Sequence, residues 1–209
     1  MLPLSKSLFE MGYRNAQSSD LPKIIQIHLA AFPGYFMTLL GSRFLNRYYN
    51  LVLAHPGSLL LVKQGEEGLE GFVSGFLDPA RFYATMRATR WSLIWPSLAG
   101  LCLRPWFIPR LIASYAQARN ASQAPQTGVF ELSSIAVLPR KAGQGIGRGL
   151  VEACLESLEG EASAIVLTTD ARGNDPVNKF YLGLGFHLEG SFERSKGRLM
   201  NIYRLPLVD

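Results

Sequence analysis

The chain has 209 residues, of which 48% are hydrophobic and 18% charged, with a formal net charge of +5 and a pI near 9.4. This length and composition favour one sizeable hydrophobic core and exclude an intrinsically disordered chain. They also argue against a membrane-spanning helix, because no uninterrupted apolar run approaches the ~18 residues that a bilayer requires. The first residues lack the apolar segment of a secretory leader. We therefore expect a single domain over residues 1–209 that resides in the cytoplasm.

The N-terminal part of the chain predicts helices followed by a β-hairpin. Residues 13–32 are typical of a short strand and then a helix, which Asp20 or Ser19 can cap. The stretch FLNRYYNLVLA predicts a second helix that ends near residues 55–57. The apolar stretches SLLLVKQ and LEGFVSGFL predict two strands, joined by a turn at residues 65–68.

Residues 78–120 differ from the rest of the chain in composition. They hold six arginines, one acidic residue and all three tryptophans, so this segment alone carries a charge of +5. Its prolines predict two or three helices, which form a helical insertion at about 80–120. We expect the insertion to pack inward as a lid. A partner surface and an anionic membrane surface are the less favoured alternatives. No nucleic-acid-binding motif accompanies the charge, so we expect no nucleic-acid partner.

The C-terminal half alternates strands and helices. VFELSSIAVLP predicts a strand that stops at Pro139, and a glycine-rich loop and a helix from about 145 to 158 follow. SAIVLTTD predicts a strand that is buried on both faces. A short helix begins near Asp175, and two further strands are expected near 186–193 and 199–205. This order predicts an α/β fold in which helices flank a mixed sheet.

The glycine-rich loop is the clearest functional signal. The sequence RKAGQGIGRG, residues 140–149, has glycine at every second position from Gly143 and lies between a predicted strand and a predicted helix. The N–H groups at a helix start favour an anion, and glycine lets phosphate oxygens approach the main chain closely. The loop lacks the Gly-Lys-Ser/Thr of a P-loop, and Arg148 or Leu150 replaces the third glycine of a dinucleotide fingerprint. It therefore predicts a site for the phosphate or pyrophosphate of another ligand.

Two motifs resemble the GNAT superfamily of N-acetyltransferases. VLPRKAGQGIGRGL is similar to the acetyl-CoA loop of that superfamily, Gln/Arg-x-x-Gly-x-Gly/Ala. Gly145 and Gly147 occupy its two small positions, and Ala142 stands where glutamine or arginine is usual. NDPVNKFYLGLGF is similar to a second family segment, with Asn174 and Tyr181 seven residues apart. The resemblance covers the C-terminal half by motif and the N-terminal part by element order, but it does not explain the insertion.

The resemblance implies a GNAT-like, mostly antiparallel sheet and an acetyl-CoA-dependent N-acetyltransferase without a metal. Such an enzyme transfers acetyl to a primary amine of a small molecule by direct attack in a ternary complex. A closer similarity, to members associated with surface-polysaccharide or amino-sugar biosynthesis, points to an amino-sugar acceptor. The residues implied in acetyl-CoA binding are Ile135, Ala136, Val137, Arg140, Lys141, Ala142, Gly143, Gln144, Gly145, Ile146, Gly147, Arg148 and Asn174.

The same resemblance implies three catalytic tasks. A main-chain amide of the strand before the loop stabilises the developing oxyanion. Tyr181 protonates the leaving thiolate, because a phenol (pKa ~10) and a thiol (pKa ~8.5) are close in acidity. Glu131 is the first candidate for the base that takes the proton of the amine, and Asp170 is the second. Tyr35 and Phe36 are implied as contacts of the acceptor.

Several of these residues have a structural interpretation as well. Tyr181 lies at helical spacing from apolar neighbours and can belong to the core, and Glu131 can be a surface residue of its strand. We interpret His28 as a structural histidine, and Cys102 and Cys154 as buried thiols. The rival function is that of a non-catalytic acyl-CoA sensor or interaction domain, and the sequence fits a monomer and a homodimer alike.

Overall fold

The computed structural model describes residues 5–89, 128–194 and 197–207. The strands are β1 (Tyr13–Asn15), β2 (Ser58–Gly65), β3 (Gly68–Leu77), β4 (Val129–Val137), β5 (Ala164–Asp170), β6 (His187–Arg194) and β7 (Arg198–Pro206). The helices are α1 (Lys6–Glu10), α2 (Leu21–Ala31), α3 (Phe36–Leu39), α4 (Gly41–Ala54), α5 (Pro79–Ala88), α6 (Ile146–Ser157) and α7 (Asp175–Leu182). Short 3-10 turns precede α2 and follow β4.

The strands form one seven-stranded sheet in the order β1-β2-β3-β4-β5-β7-β6. Every neighbouring pair is antiparallel except β4 and β5, which run parallel. The parallel pair requires a crossover, and α6 makes it. The predicted fold class, a mixed and mostly antiparallel sheet flanked by helices, is confirmed.

Each face of the sheet is covered by its own helices and has its own hydrophobic core. On the face that we call the α6 face, α6 packs over β1 to β4 and buries residues such as Leu150 and Cys154. On the opposite face, the α4 face, α2 and α4 pack over β2 to β4 and bury residues such as Ile24 and Tyr49. Burial of apolar area on both faces stabilises the sheet, at about 25 cal/mol per Å² removed from water.

Helix α2 illustrates how the sequence begins an element. The Arg14 guanidinium holds both carboxylate oxygens of Asp20, at 2.7 and 2.9 Å, and Asp20 lies directly before the helix. Asp20 precedes the helix as expected, but its side chain makes no capping hydrogen bond to α2 and instead accepts one from the Gln17 amide, three residues upstream. These bonds tie β1 to the start of α2 and fix where the helix leaves the sheet.

One predicted property of β5 is wrong. The first half of the strand is buried as expected, but Thr168 is exposed and the last two residues are half-buried. The reason is that α2 and α4 lie over β2, β3 and β4, so that neither helix covers the α4 face of β5. The carboxyl end of β5 is consequently open to solvent on that face.

The insertion predicted at about 80–120 begins with α5, and residues 90–127 lie outside the described part of the chain. Cys102 and all three tryptophans belong to that segment, so the predicted lid over a site stays a prediction. Cys154 is free and buried, and burial raises the pKa of its thiol to about 12, as expected for a structural cysteine. None of the described helices has the length and apolarity needed to cross a bilayer.

Candidate functional site

Strands β4 and β5 pair at their first residues only. The parallel pairing joins Val129 to Ala164 and ends at Glu131 and Val166, although β4 continues to Val137 and β5 to Asp170. A β-bulge bends β4 at this point, because Ser133 has no partner in β3. The two strands therefore diverge toward their carboxyl ends. We call this gap the β4–β5 opening. It lies at the carboxyl ends of these two strands, which is where open α/β sheets bind their ligands.

The register of β4 decides which of its amides face the opening. The Leu138 amide donates to the Glu70 carbonyl at 2.8 Å, so the hydrogen-bonded pairs with β3 include the even-numbered Ala136. Ile135 and Val137 alternate with them, and their main-chain groups point away from β3, into the opening. Of the three predicted amides, those of Ile135 and Val137 are thus available to a ligand. The Ala136 amide instead points toward β3, and its side chain lies in the core of the α4 face.

The glycines of the loop after β4 have different structural reasons. Gly143 and Gly145 have φ values of 78° and 79°, in the left-handed region, and a Cβ at either position would meet no atom within 4 Å. Gly145 lies directly before α6, whose first amides have no partner within the helix. A Cβ at Gly147 would lie 3.4 Å from the Phe180 ring, and one at Gly149 would collide with the Tyr13 hydroxyl. The first two glycines therefore leave open space for a ligand, whereas the last two permit helix packing.

Other side chains of the predicted loop differ in exposure. Ala142 and Gln144 are exposed beside the two open glycines, so both can border a bound group. Ile146 is buried in the core of the α6 face, so only its main chain can contact a ligand. The binding surface of the loop is therefore largely main chain.

The three cations around the loop have acidic partners within the protein. Lys141 Nζ lies 2.8 Å from Glu70, and Arg140 lies 3.4 Å from Glu67 at an exposed position. Arg148 lies 3.9 Å from Glu152 and donates to the Gly183 carbonyl at 3.2 Å. The pairs of Arg140 and Arg148 are exposed, and exposed pairs are weak, so these cations add positive charge near the loop without being fixed toward one ligand.

Asn174 and Tyr181 lie at the two ends of α7. Asn174 directly precedes the helix, and its side-chain amide donates to the Thr169 hydroxyl at 2.7 Å rather than capping the helix. Tyr181 is buried in the core of the α6 face, where its ring contacts Phe186 and Tyr203. Burial raises the pKa of Tyr181, so it is a weaker acid than a free phenol and further in acidity from a thiol.

Glu131 is the last residue of β4 that pairs with β5, and its side chain lies on the α4 face. It is not a free surface carboxylate. The Tyr83 hydroxyl, from α5, donates to Glu131 Oε1 at 2.6 Å. Loss of water raises the pKa of Glu131, against the hydrogen bond from Tyr83 and the attraction of Arg194, which both lower it. Next to it, the Tyr48 and Ser133 hydroxyls lie 2.9 Å apart. A carboxylate with a raised pKa at the mouth of the opening fits a general base.

Tyr35, predicted as an acceptor contact, lies at the carboxyl end of β5. Its hydroxyl donates to Asp170 at 3.2 Å, and the Arg198 guanidinium lies 5.4 Å from the centre of its ring. Arg198 also forms a close ion pair with Asp170 and holds the pKa of that carboxyl below its usual value. Asp170 is therefore already ionised and paired, which makes it a weaker candidate base than Glu131. Phe36 begins α3 next to this cluster and is half-buried.

Several residues of the site were missed by the sequence reasoning. These are Tyr83, Tyr48 and Ser133 around Glu131, Arg198 beside Asp170, and Asn178 in α7. The Asn178 side chain donates to the carbonyls of Asp170 and Asn174 and accepts from Tyr203 at 3.0 Å, so it joins β5, α7 and β7. Asn178 lies inside the segment NDPVNKFYLGLGF, but not at one of its two motif positions. Tyr83, Tyr48 and Arg198 have partners 48, 85 and 28 residues away along the chain, so the sequence carried no local signal for them. No three His, Cys, Asp or Glu side chains of the described residues are grouped as metal ligands.

Comparisons with known proteins identify relatives of this architecture. The model of the acetyltransferase (GNAT) family matches residues 21–186. A GNAT-family acetyltransferase from Streptococcus pneumoniae has a TM-score of 0.58 at 16% identity, with 94% of this chain and 98% of that chain covered. The ribosomal-protein-S18-alanine N-acetyltransferase of Escherichia coli has a TM-score of 0.57 at 16% identity, with 93% and 92% covered.

A third solved structure adds a neighbour with a named small-molecule substrate. A spermidine N-acetyltransferase chimera from Vibrio cholerae and hSSAT has a TM-score of 0.60 at 14% identity, with 93% of each chain covered. Identities this low establish a shared fold. A search of curated proteins gave no significant match.

Proposed function

Because the chain belongs to the GNAT acetyltransferase family, we propose that it transfers an acetyl group from acetyl-CoA to a primary amine of a small molecule, by direct attack within a ternary complex. The observation that carries this proposal is the β4–β5 opening, into which the Ile135 and Val137 amides point and at whose edge the glycine loop begins. The same opening thus offers main-chain hydrogen-bond donors to a thioester and a glycine loop that can bind an anion.

The residues around the opening fit acetyl-CoA. The space at Gly143 and Gly145 and the first amides of α6 suit its pyrophosphate, because unpaired N–H groups at a helix start attract anions. Arg140, Lys141 and Arg148 add diffuse positive charge, and Asn174 lies at the far side of the opening. Acetyl-CoA supplies the thioester whose acetyl group is transferred.

Three groups of the protein divide the chemistry. Glu131 takes one proton from the protonated amine, which frees the nitrogen lone pair to form the bond to the carbonyl carbon. The new bond leaves the nitrogen positively charged, and its second proton passes to solvent. The amide of Ile135 or Val137 donates to the carbonyl oxygen while it carries negative charge. As the carbon–sulfur bond breaks, the sulfur keeps the electron pair and receives a proton from Tyr181. The products are the N-acetylated amine and the free thiol of coenzyme A. The raised pKa of Tyr181 makes its step the less favourable one.

We further propose an amino sugar as the acceptor. Polar and aromatic side chains at the carboxyl end of β5 support this choice: Tyr35, Asp170 and Arg198 offer donors, acceptors and a ring to a hydroxyl-rich molecule. Phe36 lies beside them. We also place the protein in the cytoplasm, because the free thiol of Cys154 fits a reducing compartment.

The experiment that tests the proposal is isothermal titration of the full chain with acetyl-CoA, with NAD and ATP as controls. We expect micromolar binding of acetyl-CoA alone. A panel of glucosamine, glucosamine 6-phosphate, a nucleotide-linked amino sugar and spermidine then follows, with thiol release as the readout. Binding without acetylation of any amine by the wild type would favour the acyl-CoA sensor, and no binding at all would contradict both functions.

A further inference from the structure

Helix α5, the first element of the insertion, is fixed to the sheet at its root. Asp78 directly follows β3, and Pro79 begins the helix. The φ of Asp78 is 49°, the one positive φ of a non-glycine residue among the described residues. The Phe82 ring is fully buried and stacks on Phe76 of β3 with 3.9 Å between ring centroids. Tyr48 and His55 contact the edges of the same ring. The chain reversal and the stacked rings hold α5 in one position.

The packing of Phe82 places the next residue, Tyr83, beside Glu131. The Tyr83 ring packs against Phe76 at 5.6 Å, and its hydroxyl donates to Glu131 Oε1 at 2.6 Å. Burial and the neighbouring carboxylate raise the pKa of Tyr83 well above its usual value, so the phenol keeps its proton and remains the donor of this bond. The contact spans 48 residues of sequence, so it depends on the fold alone.

The contact divides the two oxygens of Glu131. Oε1 is occupied by Tyr83, whereas Oε2 has no hydrogen-bond partner within residues 5–89, 128–194 and 197–207. Among the described residues, the charged and titratable groups that act on the carboxyl are Tyr83 from α5, Tyr48 from α4 and Arg194 from β6. Of these, Tyr83 is the one that donates a hydrogen bond. A carboxylate that is held by a hydrogen bond at one oxygen keeps its other oxygen in a fixed direction, in which it can accept a proton.

We propose that Tyr83 is a positioning residue for Glu131: its hydroxyl holds Oε1 and so directs Oε2 toward the acceptor amine, whose proton Oε2 takes. This inference rests on the proposed function, in which Glu131 is the base. It makes the root of the insertion part of the catalytic arrangement, because α5 supplies the orienting hydroxyl. A donor to the carboxylate also favours its ionised form, so loss of Tyr83 raises the pKa of Glu131.

The test needs no knowledge of the acceptor. The full chain is labelled with [δ-13C]glutamate, and Glu131, one of eleven glutamates, is assigned by the resonance that disappears in Glu131→Gln. We expect Glu131 to titrate above the exposed glutamates, and Tyr83→Phe to raise its midpoint by about one pH unit or more. Tyr49→Phe is the matched control, because it removes another buried hydroxyl of the α4 face, one bonded to His28 at 2.7 Å. An equal midpoint in Tyr83→Phe and wild type would overturn the inference.

Kinetics separate this inference from the proposed function. With the best amine of the panel, Tyr83→Phe is expected to move the acidic limb of kcat/KM to higher pH and to regain most activity at high pH. A purely structural role would lower activity equally at every pH and so contradict the inference. If Glu131→Gln retains full activity, the proposed base is wrong. If Glu131→Gln is inactive but Tyr83→Phe keeps the wild-type pH profile, only the role of Tyr83 is wrong.

Discussion

The two ligand-facing sides of the β4–β5 opening differ in the atoms that they present. The loop side offers main-chain amides of Ile135, Val137 and the start of α6, with few fixed side chains. The α4 face offers side chains instead: Glu131, Tyr83 and the cluster at Asp170. If acetyl-CoA and the acceptor bind as proposed, main-chain groups hold the acetyl-CoA and side chains select the acceptor.

The two faces also differ in how they tolerate polarity. The α6 face buries the Cys154 thiol and the Tyr181 phenol, and burial raises the pKa of both groups, so both stay neutral near pH 7. The α4 face buries His28 bonded to Tyr49, and half-buries Glu131 bonded to Tyr83. Buried titratable groups destabilise a fold when they are charged. The pH sensitivity of stability and the proposed base should therefore belong to the α4 face, the proposed acid Tyr181 to the α6 face, and acetyl-CoA affinity to the loop.

The largest expected effect is that of Glu131→Gln. If the α4 face carries the chemistry, the loss of this base should lower kcat/KM by about 100-fold or more. Acetyl-CoA affinity, measured by titration calorimetry, should stay within about twofold, because the loop side is untouched. Loss of both activity and acetyl-CoA binding would mean that the two sides are not separate.

The same variant should be more stable than the wild type. Since the folded-state pKa of Glu131 is raised, the ionised carboxylate destabilises the fold increasingly as pH rises above the unfolded value of 4.5. Glutamine avoids this charge, and we expect a higher melting temperature at pH 7.5 but not at pH 4. A lower melting temperature at pH 7.5 would assign Glu131 a structural rather than a chemical role.

The second effect concerns the stability of the α4 face at low pH. Burial lowers the pKa of His28 to about 4 in the folded chain. The neutral form is therefore favoured by folding, so its stabilisation is complete above the unfolded pKa of about 6.5 and is lost as pH falls toward 4. Urea unfolding should show a loss of about 2 kcal/mol between pH 7 and pH 5 from this residue.

The control for His28 is a neutral replacement. His28→Gln keeps a polar group near Tyr49 but cannot titrate, so its stability should change less between pH 7 and pH 5. His187→Gln, at an exposed position of β6, should retain the wild-type dependence. The same slope in all three proteins would show that the pH sensitivity arises elsewhere.

A third effect tests the main-chain character of the loop side. Gly145→Ala forces alanine into the left-handed region, at about 1–2 kcal/mol, in the loop proposed to bind pyrophosphate. We expect acetyl-CoA binding to weaken by about tenfold. Gly160→Ala is the matched control, because Gly160 has a φ of 68°, open space around it and a position after α6, away from the loop. An equal loss of affinity in both variants would point to global destabilisation.

The smallest effect should come from the cations. Arg140 is exposed and already lies near Glu67, so Arg140→Ala should change the Kd for acetyl-CoA by less than about threefold. Glu67→Gln releases Arg140 and should strengthen binding slightly, most clearly at low salt. A tenfold loss in Arg140→Ala would mean that side chains, not amides, hold the anion.

Helices α1 and α3 were not predicted. Helices α2 and α4, the hairpin of β2 and β3, and the glycine loop followed by a helix were all predictable from the sequence. Each of these is a local pattern: an apolar repeat, a turn between two strands, or glycines before an amphipathic run. The family motifs are local too, because they describe a main-chain loop and one helix. This is why the fold class and the position of the glycine loop could be predicted from the sequence, whereas the anion site in that loop stays a prediction.

The tertiary structure decided which residues of those patterns act together. Whether Ile135 or Ala136 faces the opening depends on the register with β3, and the divergence of β4 from β5 depends on a bulge at Ser133. The exposure of Thr168 depends on where α2 and α4 end across the sheet. The partnership of Glu131 with Tyr83 joins residues 48 positions apart. Such contacts follow from packing across the sheet. The residues next to each partner in the sequence carry no information about that packing.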